Sequence, residues 1–113
     1  MITESEKLSS YIITIPADQT DENGNPVFSF GKLLHVVQNV CSNYSDSFCI
    51  REETEYVYES ETFHREDFVL VTLTGIPESE VNDIALDLCA FLNLNEVKIR
   101  KTECEHYSVS DSI

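Results

Sequence analysis

The chain is predicted to be an α+β domain with the element order strand, helix, strand, strand, helix, strand. Three observations lead there. Apolar residues recur at spacings of three and four in two stretches, 29–43 and 77–92, which is the helical period. Short β-branched or alternating runs stand before, between and after those stretches, at 11–15, 47–61, 68–74 and 96–102. Turn-forming residues separate the runs, and no repeat or low-complexity segment interrupts the order.

Residues 1–10 are polar and read as a flexible arm. Residues 11–15, YIITI, are apolar or β-branched at every position, which suits a strand inside a sheet, and Pro16 ends the run. Residues 17–26, ADQTDENGNP, contain the turn pairs Asn23-Gly24 and Asn25-Pro26 and form a polar loop. Ser29 is the expected N-cap of the first helix. Its apolar stripe is Phe30, Leu33, Leu34, Val37, Val40, Cys41 and Tyr44, and the helix ends near Asn43.

The next stretch, 47–67, is the most distinctive part of the chain. Glu52, Glu53, Glu55, Glu59, Glu61, Glu66 and Asp67 alternate with Tyr56, Val57, Tyr58 and Phe63, opposed only by Arg51 and Arg65. It reads as the first arm and turn of a hairpin, with His64 to Asp67 in the turn and residues 68–74, FVLVTLT, as the second arm. Alternation places Ile50, Glu52, Thr54, Tyr56 and Tyr58 on one face, and Arg51, Glu53, Glu55, Val57, Glu59 and Glu61 on the other. A face so rich in carboxylates cannot be buried unpaired, so this strand belongs at a sheet edge.

Gly75-Ile76-Pro77 breaks the second arm and opens a helix whose first turn carries Glu78 and Glu80, acids that suit a positive N-terminus. Val81, Ile84, Ala85, Leu88, Phe91 and Leu92 form its stripe, with Asn93 or Asn95 as the cap. Residues 96–102, EVKIRKT, alternate Val97 and Ile99 against Lys98 and Arg100 and form the last strand. Residues 103–113 are a polar tail without a period.

The order βαββαβ is similar to the split βαβ pattern of ferredoxin-like domains, a four-stranded antiparallel sheet with both helices on one face. The resemblance is architectural, covers residues 11–102 as a single domain, and implies that the second and fourth strands lie at opposite edges. The acidic edge then lies across the sheet from Lys98 and Arg100. Ile12, Phe68, Leu70 and Thr72 point to the open face, where a homodimer is expected to cover them.

A formal charge of −14, from 21 acids and 7 bases, disfavours direct binding of nucleic acid or an anionic membrane and favours a basic partner. No stretch reaches the ~20 apolar residues of a membrane span, and the N-terminus lacks a secretory pattern, so the expected place is the cytoplasm. There Cys41, Cys49, Cys89 and Cys104 are expected to remain thiols.

No cofactor or metal is expected. Cys104-Glu105-His106 and His64-Arg65-Glu66-Asp67 are local clusters without a recognised ligand spacing. No nucleophile elbow or phosphate-cradling loop is present, so the leaning is away from an enzyme. Side chains on one strand face recur every ~6.6 to 6.8 Å, close to the separation of successive phosphates along a nucleic-acid strand. Glu53, Glu55, Glu59 and Glu61 therefore form a row able to imitate a backbone, beside Glu52, Tyr56, Tyr58 and Phe63 as further contacts.

On those residues the chain resembles in style the small acidic inhibitors that phages and mobile elements use against host defence nucleases, anti-CRISPR proteins among them. The expected function is occupation of a basic, nucleic-acid-handling partner. The bland alternative is an edge kept acidic for solubility, with its tyrosines packed under the helices. The competing function is a homodimer that binds or cleaves a small anionic ligand, such as a nucleotide or cyclic oligonucleotide, through His64, Arg65, Lys98, Arg100 and Lys101.

Overall fold

The computed structural model describes residues 2–111. Its elements are β1 (Ile2–Pro16), α1 (Phe30–Ser42), β2 (Cys49–Glu59), β3 (Thr62–Thr74), α2 (Glu78–Leu92) and β4 (Lys98–Ser110). The strands form one antiparallel sheet in the order β2-β3-β1-β4. This is the ferredoxin-like arrangement that the element order predicts, with the acidic β2 and the basic start of β4 at opposite edges.

Period-two alternation decides which face is covered. Tyr11, Ile13 and Ile15 of β1 and Val69, Val71 and Leu73 of β3 form the core with Leu33, Val37, Val40 and Cys41 of α1 and Val81, Ile84, Ala85, Leu88 and Leu92 of α2. Burying a Val, Leu or Ile side chain fully contributes about 1.5–3 kcal/mol, so this layer holds the domain together. Ser29 caps α1 by accepting a hydrogen bond from the Lys32 amide at 3.2 Å. Asn93 ends α2 in the left-handed conformation, with the Leu94 amide donating to the Cys89 carbonyl. Two stripe positions depart from expectation. Phe30 and Phe91 are exposed, because the first sits at the start of α1 and the second turns off the buried side of α2.

The strands run well beyond the core. Residues 2–9 pair only with 103–110 of β4, and residues 62–67 of β3 pair only with 54–59 of β2. The shared zone is the seven positions where Ser10 to Pro16 meet Thr74 to Phe68. Two-stranded ribbons therefore project from opposite ends of the sheet. The molecule measures 64 × 35 × 22 Å with a radius of gyration of 17.4 Å, against about 13 Å for a compact chain of this length.

Residues 2–10 and 103–110 were expected to be a loose arm and a polar tail, and this is a correction: both are strand. Their pattern is silent because no helix covers either face of that ribbon, so burial selects no apolar period. The remaining ends of those two expectations, at 1 and 112–113, lie outside the described residues. The hairpin turn is also corrected. It falls at Ser60 and Glu61, so His64 to Asp67 belong to β3. Both turn residues have positive φ, 52° and 65°, the geometry of a two-residue type I′ connection that Asn-Gly fills best.

Side chains with a Cβ are strained in that region. Replacing Ser60→Asn together with Glu61→Gly is expected to raise stability by about 0.5–1 kcal/mol, read as a higher urea midpoint. A lower midpoint would show that the chain turns elsewhere.

Candidate functional site

Among the described residues no element covers the face of the sheet opposite the helices. Its central strands contribute Ile12 and Thr14 from β1 and Phe68, Leu70 and Thr72 from β3, the residues that alternate with the core set. Leu70 is only 8% exposed, and Ile12, Thr14, Phe68 and Thr72 are half-buried, so the floor is dense although no element lies over it. Glu53, Glu55 and Glu66 stand along one margin, and Lys98 and Arg100 along the other. Together they bound a trough of about 400 Å³. A second hollow of about 610 Å³ shares Thr14, Phe68 and Lys98 and continues toward the 93–97 loop.

Register explains the placement. Glu53 pairs with Phe68, Glu55 with Glu66, Lys98 with Thr14 and Arg100 with Ile12, and paired residues share a face. The two margins are separated by three strand spacings, about 14 Å. Arg51 pairs with Leu70 and points the same way, so one base interrupts the acidic margin. The acids and bases on this face are all exposed.

The ribbon of β2 and β3 carries the rest of the acidic stretch. Glu53, Glu55 and Glu59 share one face, while Glu61 leaves the row because it sits in the turn. Glu52, Tyr56, Tyr58 and Phe63 belong to the other face, where Tyr58 and Phe63 meet with ring centroids 4.9 Å apart. Tyr56, Tyr58 and Phe63 are 64%, 63% and 69% exposed. They do not pack under the helices, because the ribbon extends past them.

The residues proposed from sequence as a pocket for an anionic ligand do not converge. Lys98 and Arg100 share the open face, whereas Arg65 and Lys101 point to the helix side and His64 lies out on the ribbon. Arg65 Nε is 3.0 Å from Asp67 Oδ1, and Thr54 donates its hydroxyl to the same oxygen at 2.7 Å. Lys101 Nζ lies 3.6 Å from Glu78 and 5.8 Å from the Tyr11 ring centroid. Cys104, Glu105 and His106 are successive residues of β4, so Glu105 points away from the other two. Sequence reasoning missed Glu66 and Thr14 as trough residues. Alternation with Ile12 supplies Thr14, and alternation with Phe68 supplies Glu66 once the turn is placed beyond it.

The described residues contain no helix long and apolar enough to cross a membrane. Among them Cys41 is buried, Cys49 is exposed, and Cys89 and Cys104 are intermediate; all are free. Burial pushes the Cys41 thiol up to about 11, which removes it from nucleophilic chemistry near neutral pH.

The chain is thus a ferredoxin-like α+β domain with one uncovered sheet face. No protein-family model matches the chain, and no curated protein matches it in sequence. Solved structures do. A phage SAM lyase in complex with S-methyl-5′-thioadenosine superposes with a TM-score of 0.60 at 10% identity, covering 92% of this chain and 91% of that one. CutA from Synechococcus elongatus gives 0.56 at 10% identity over 95% and 85%. The PII-like protein CPII from Thiomonas intermedia, bound to ADP, AMP and acetate, gives 0.51 at 10% identity over 91% of each chain. At these identities the likeness is one of fold.

The Thr54 hydroxyl and the Arg65 guanidinium hold the Asp67 carboxyl below the usual carboxylate range. A carboxyl lowered in the folded state contributes stability that is fully present above its unfolded value, ~3.9, and lost as pH falls through the folded value. Asp67→Asn is expected to flatten the fall in melting temperature below about pH 4, read by thermal scans from acid to neutral pH. An unchanged slope would contradict this role for Asp67.

Proposed function

We propose that the open sheet face binds an adenine nucleoside carrying charges of both signs, the adenosyl sulfonium class to which S-adenosylmethionine belongs. The observation that carries this reading is the juxtaposition, in one trough, of an apolar floor with an acidic and a basic margin. Phe68, Leu70 and Ile12 offer the apolar contact a purine needs. Glu53, Glu55 and Glu66 suit a sulfonium and an ammonium group, and Lys98 and Arg100 suit a carboxylate. A volume of about 400 Å³ falls in the range of small-ligand sites.

The charge balance separates this class from polyphosphates. Three carboxylates beside two bases oppose a nucleoside di- or triphosphate, so the earlier expectation of an anionic ligand gives way to a zwitterionic or cationic one. Two fold neighbours lend support by their contents, methylthioadenosine in the phage SAM lyase and adenine nucleotides in CPII. The free thiols suit a cytoplasmic setting.

A second reading is favoured by the exposed aromatics of the ribbon. In that reading Tyr56, Tyr58 and Phe63 anchor a basic, nucleic-acid-handling protein, while Glu53, Glu55 and Glu59 occupy its phosphate-binding groove. Reversing those three acids and Glu61 to lysine would then abolish capture of that partner.

Isothermal titration of the full chain is expected to detect S-adenosylmethionine and methylthioadenosine, with ADP weaker than either. Lys98→Ala with Arg100→Ala should weaken S-adenosylmethionine at least tenfold, yet leave methylthioadenosine, which lacks the carboxylate, within about twofold. Equal loss for both ligands, or no binding of either, would sink the ligand reading. Methylthioadenosine released during incubation would extend it to cleavage.

A further inference from the structure

The trough is open along its whole length in a single copy, and its floor is too well packed with apolar side chains to be an ordinary wet surface. Leu70 is nearly buried with no element above it, and Ile12, Phe68 and Thr72 are half-buried around it. The strip continues past the shared zone. Leu8 and Cys104, a cross-strand pair on the same face, are also half-buried. Apolar strips of this kind on a sheet are normally covered.

We propose that further copies of this chain cover the open face, the acidic margin of each copy lying against the basic margin of the next. This goes beyond the ligand reading, since it concerns what closes the trough of the unliganded chain, and a neighbouring copy draws on the same charged margins as a bound nucleoside. Charge complementarity picks the occupant. Glu53, Glu55 and Glu66 on one side and Lys98 and Arg100 on the other make the face self-complementary. Lys98 lies level with Arg51 through Thr14 and Leu70, while Glu53 and Glu55 stand two and four residues further along. A twofold axis along the strands would therefore set base over base, whereas an axis oblique to the strands exchanges the margins and brings acids over bases twice. In a ring, each margin meets its opposite on the following copy. An arrangement that superposes like margins is repulsive.

The dimensions require more than the central zone. Seven paired positions are ~23 Å long and about 14 Å across, a footprint small beside the ~800 Å² per partner of a standard interface. The ribbons therefore take part. This also answers a stability question, because a lone two-stranded ribbon is marginal in water, and here two of them project from the sheet. A neighbouring copy gives each a surface to lie against.

The test uses two double variants of the full chain, Glu53→Lys with Glu55→Lys and Lys98→Glu with Arg100→Glu. All four positions are exposed, so both variants are expected to keep the wild-type circular dichroism, while melting below the wild type because they lose the support of a neighbouring copy. Sedimentation velocity without added ligand should show the wild type as a closed assembly of two or more copies and each variant alone as a monomer. An equimolar mixture of the two variants should regain the wild-type mass, because each then presents the charge the other lacks.

Net charge alone predicts otherwise. The first variant reduces the overall negative charge of −14 and would associate more strongly if general repulsion governed. A monomeric wild type at 100-micromolar order, variants that associate like the wild type, or a mixture that stays monomeric would each overturn the proposal. None of these outcomes depends on whether S-adenosylmethionine binds.

Discussion

Two helices cover one face of a four-stranded sheet, and everything else in the molecule follows from that one-sided burial. Ile13, Ile15, Val69, Val71 and Leu73 are driven under α1 and α2 by the removal of apolar surface from water. Because side chains alternate along a strand, fixing those five fixes their neighbours on the opposite side. Ile12, Thr14, Phe68 and Leu70 have no choice of face once the core is set. A slip of one residue in β3 would bury Phe68 and Leu70 with the helices and expose Val69 and Val71, exchanging the two surfaces outright. The trough is a by-product of the core's register.

The same constraint explains where the molecule stops being an ordinary small domain. Helices of 13 and 15 residues reach across only the central part of strands that run to 15, 11, 13 and 13 residues. Beyond them the backbone still pairs, but no side-chain layer accompanies it. Local devices hold the transitions. Past Pro16 the Ala17 amide donates to the Asp67 carbonyl at 2.8 Å, and Asp18 accepts from the Asp67 amide. At the other end the Gly75 amide donates to the Ser9 carbonyl, with Gly75 in the positive-φ region that glycine enters freely. The ribbons lack a covering side-chain layer, and they carry Tyr56, Tyr58, Phe63 and Tyr107, four of the six exposed aromatic rings among the described residues.

That division also marks how much was legible beforehand. Both helices, the strand order and the edge position of the acidic strand could be read, because helical stripes and alternating runs are signatures of a covered face. Ser29 was readable as a cap for the same local reason, and Asn93 as one of two candidates with Asn95. The outer halves of β1 and β4 were not, since Glu4, Glu6, Glu103 and Glu105 sit on a ribbon where nothing selects apolar residues. The turn at Ser60 and Glu61 was hidden because neither residue is the glycine or asparagine that its positive φ favours. Of the site, Glu53, Glu55, Lys98 and Arg100 were named from sequence, but in two separate proposals. Only the register showed that they flank one floor.

The functional account rests on that floor being the surface where the protein meets its ligand. Methyl-resolved NMR tests it most directly, by following Ile12 and Leu70 on the open face and Ile84 and Leu88 in the core while S-methyl-5′-thioadenosine is added. The account predicts saturable shifts at Ile12 and Leu70, with Ile84 and Leu88 almost still. Shifts confined to the helix side, or none at any of the four, would contradict it.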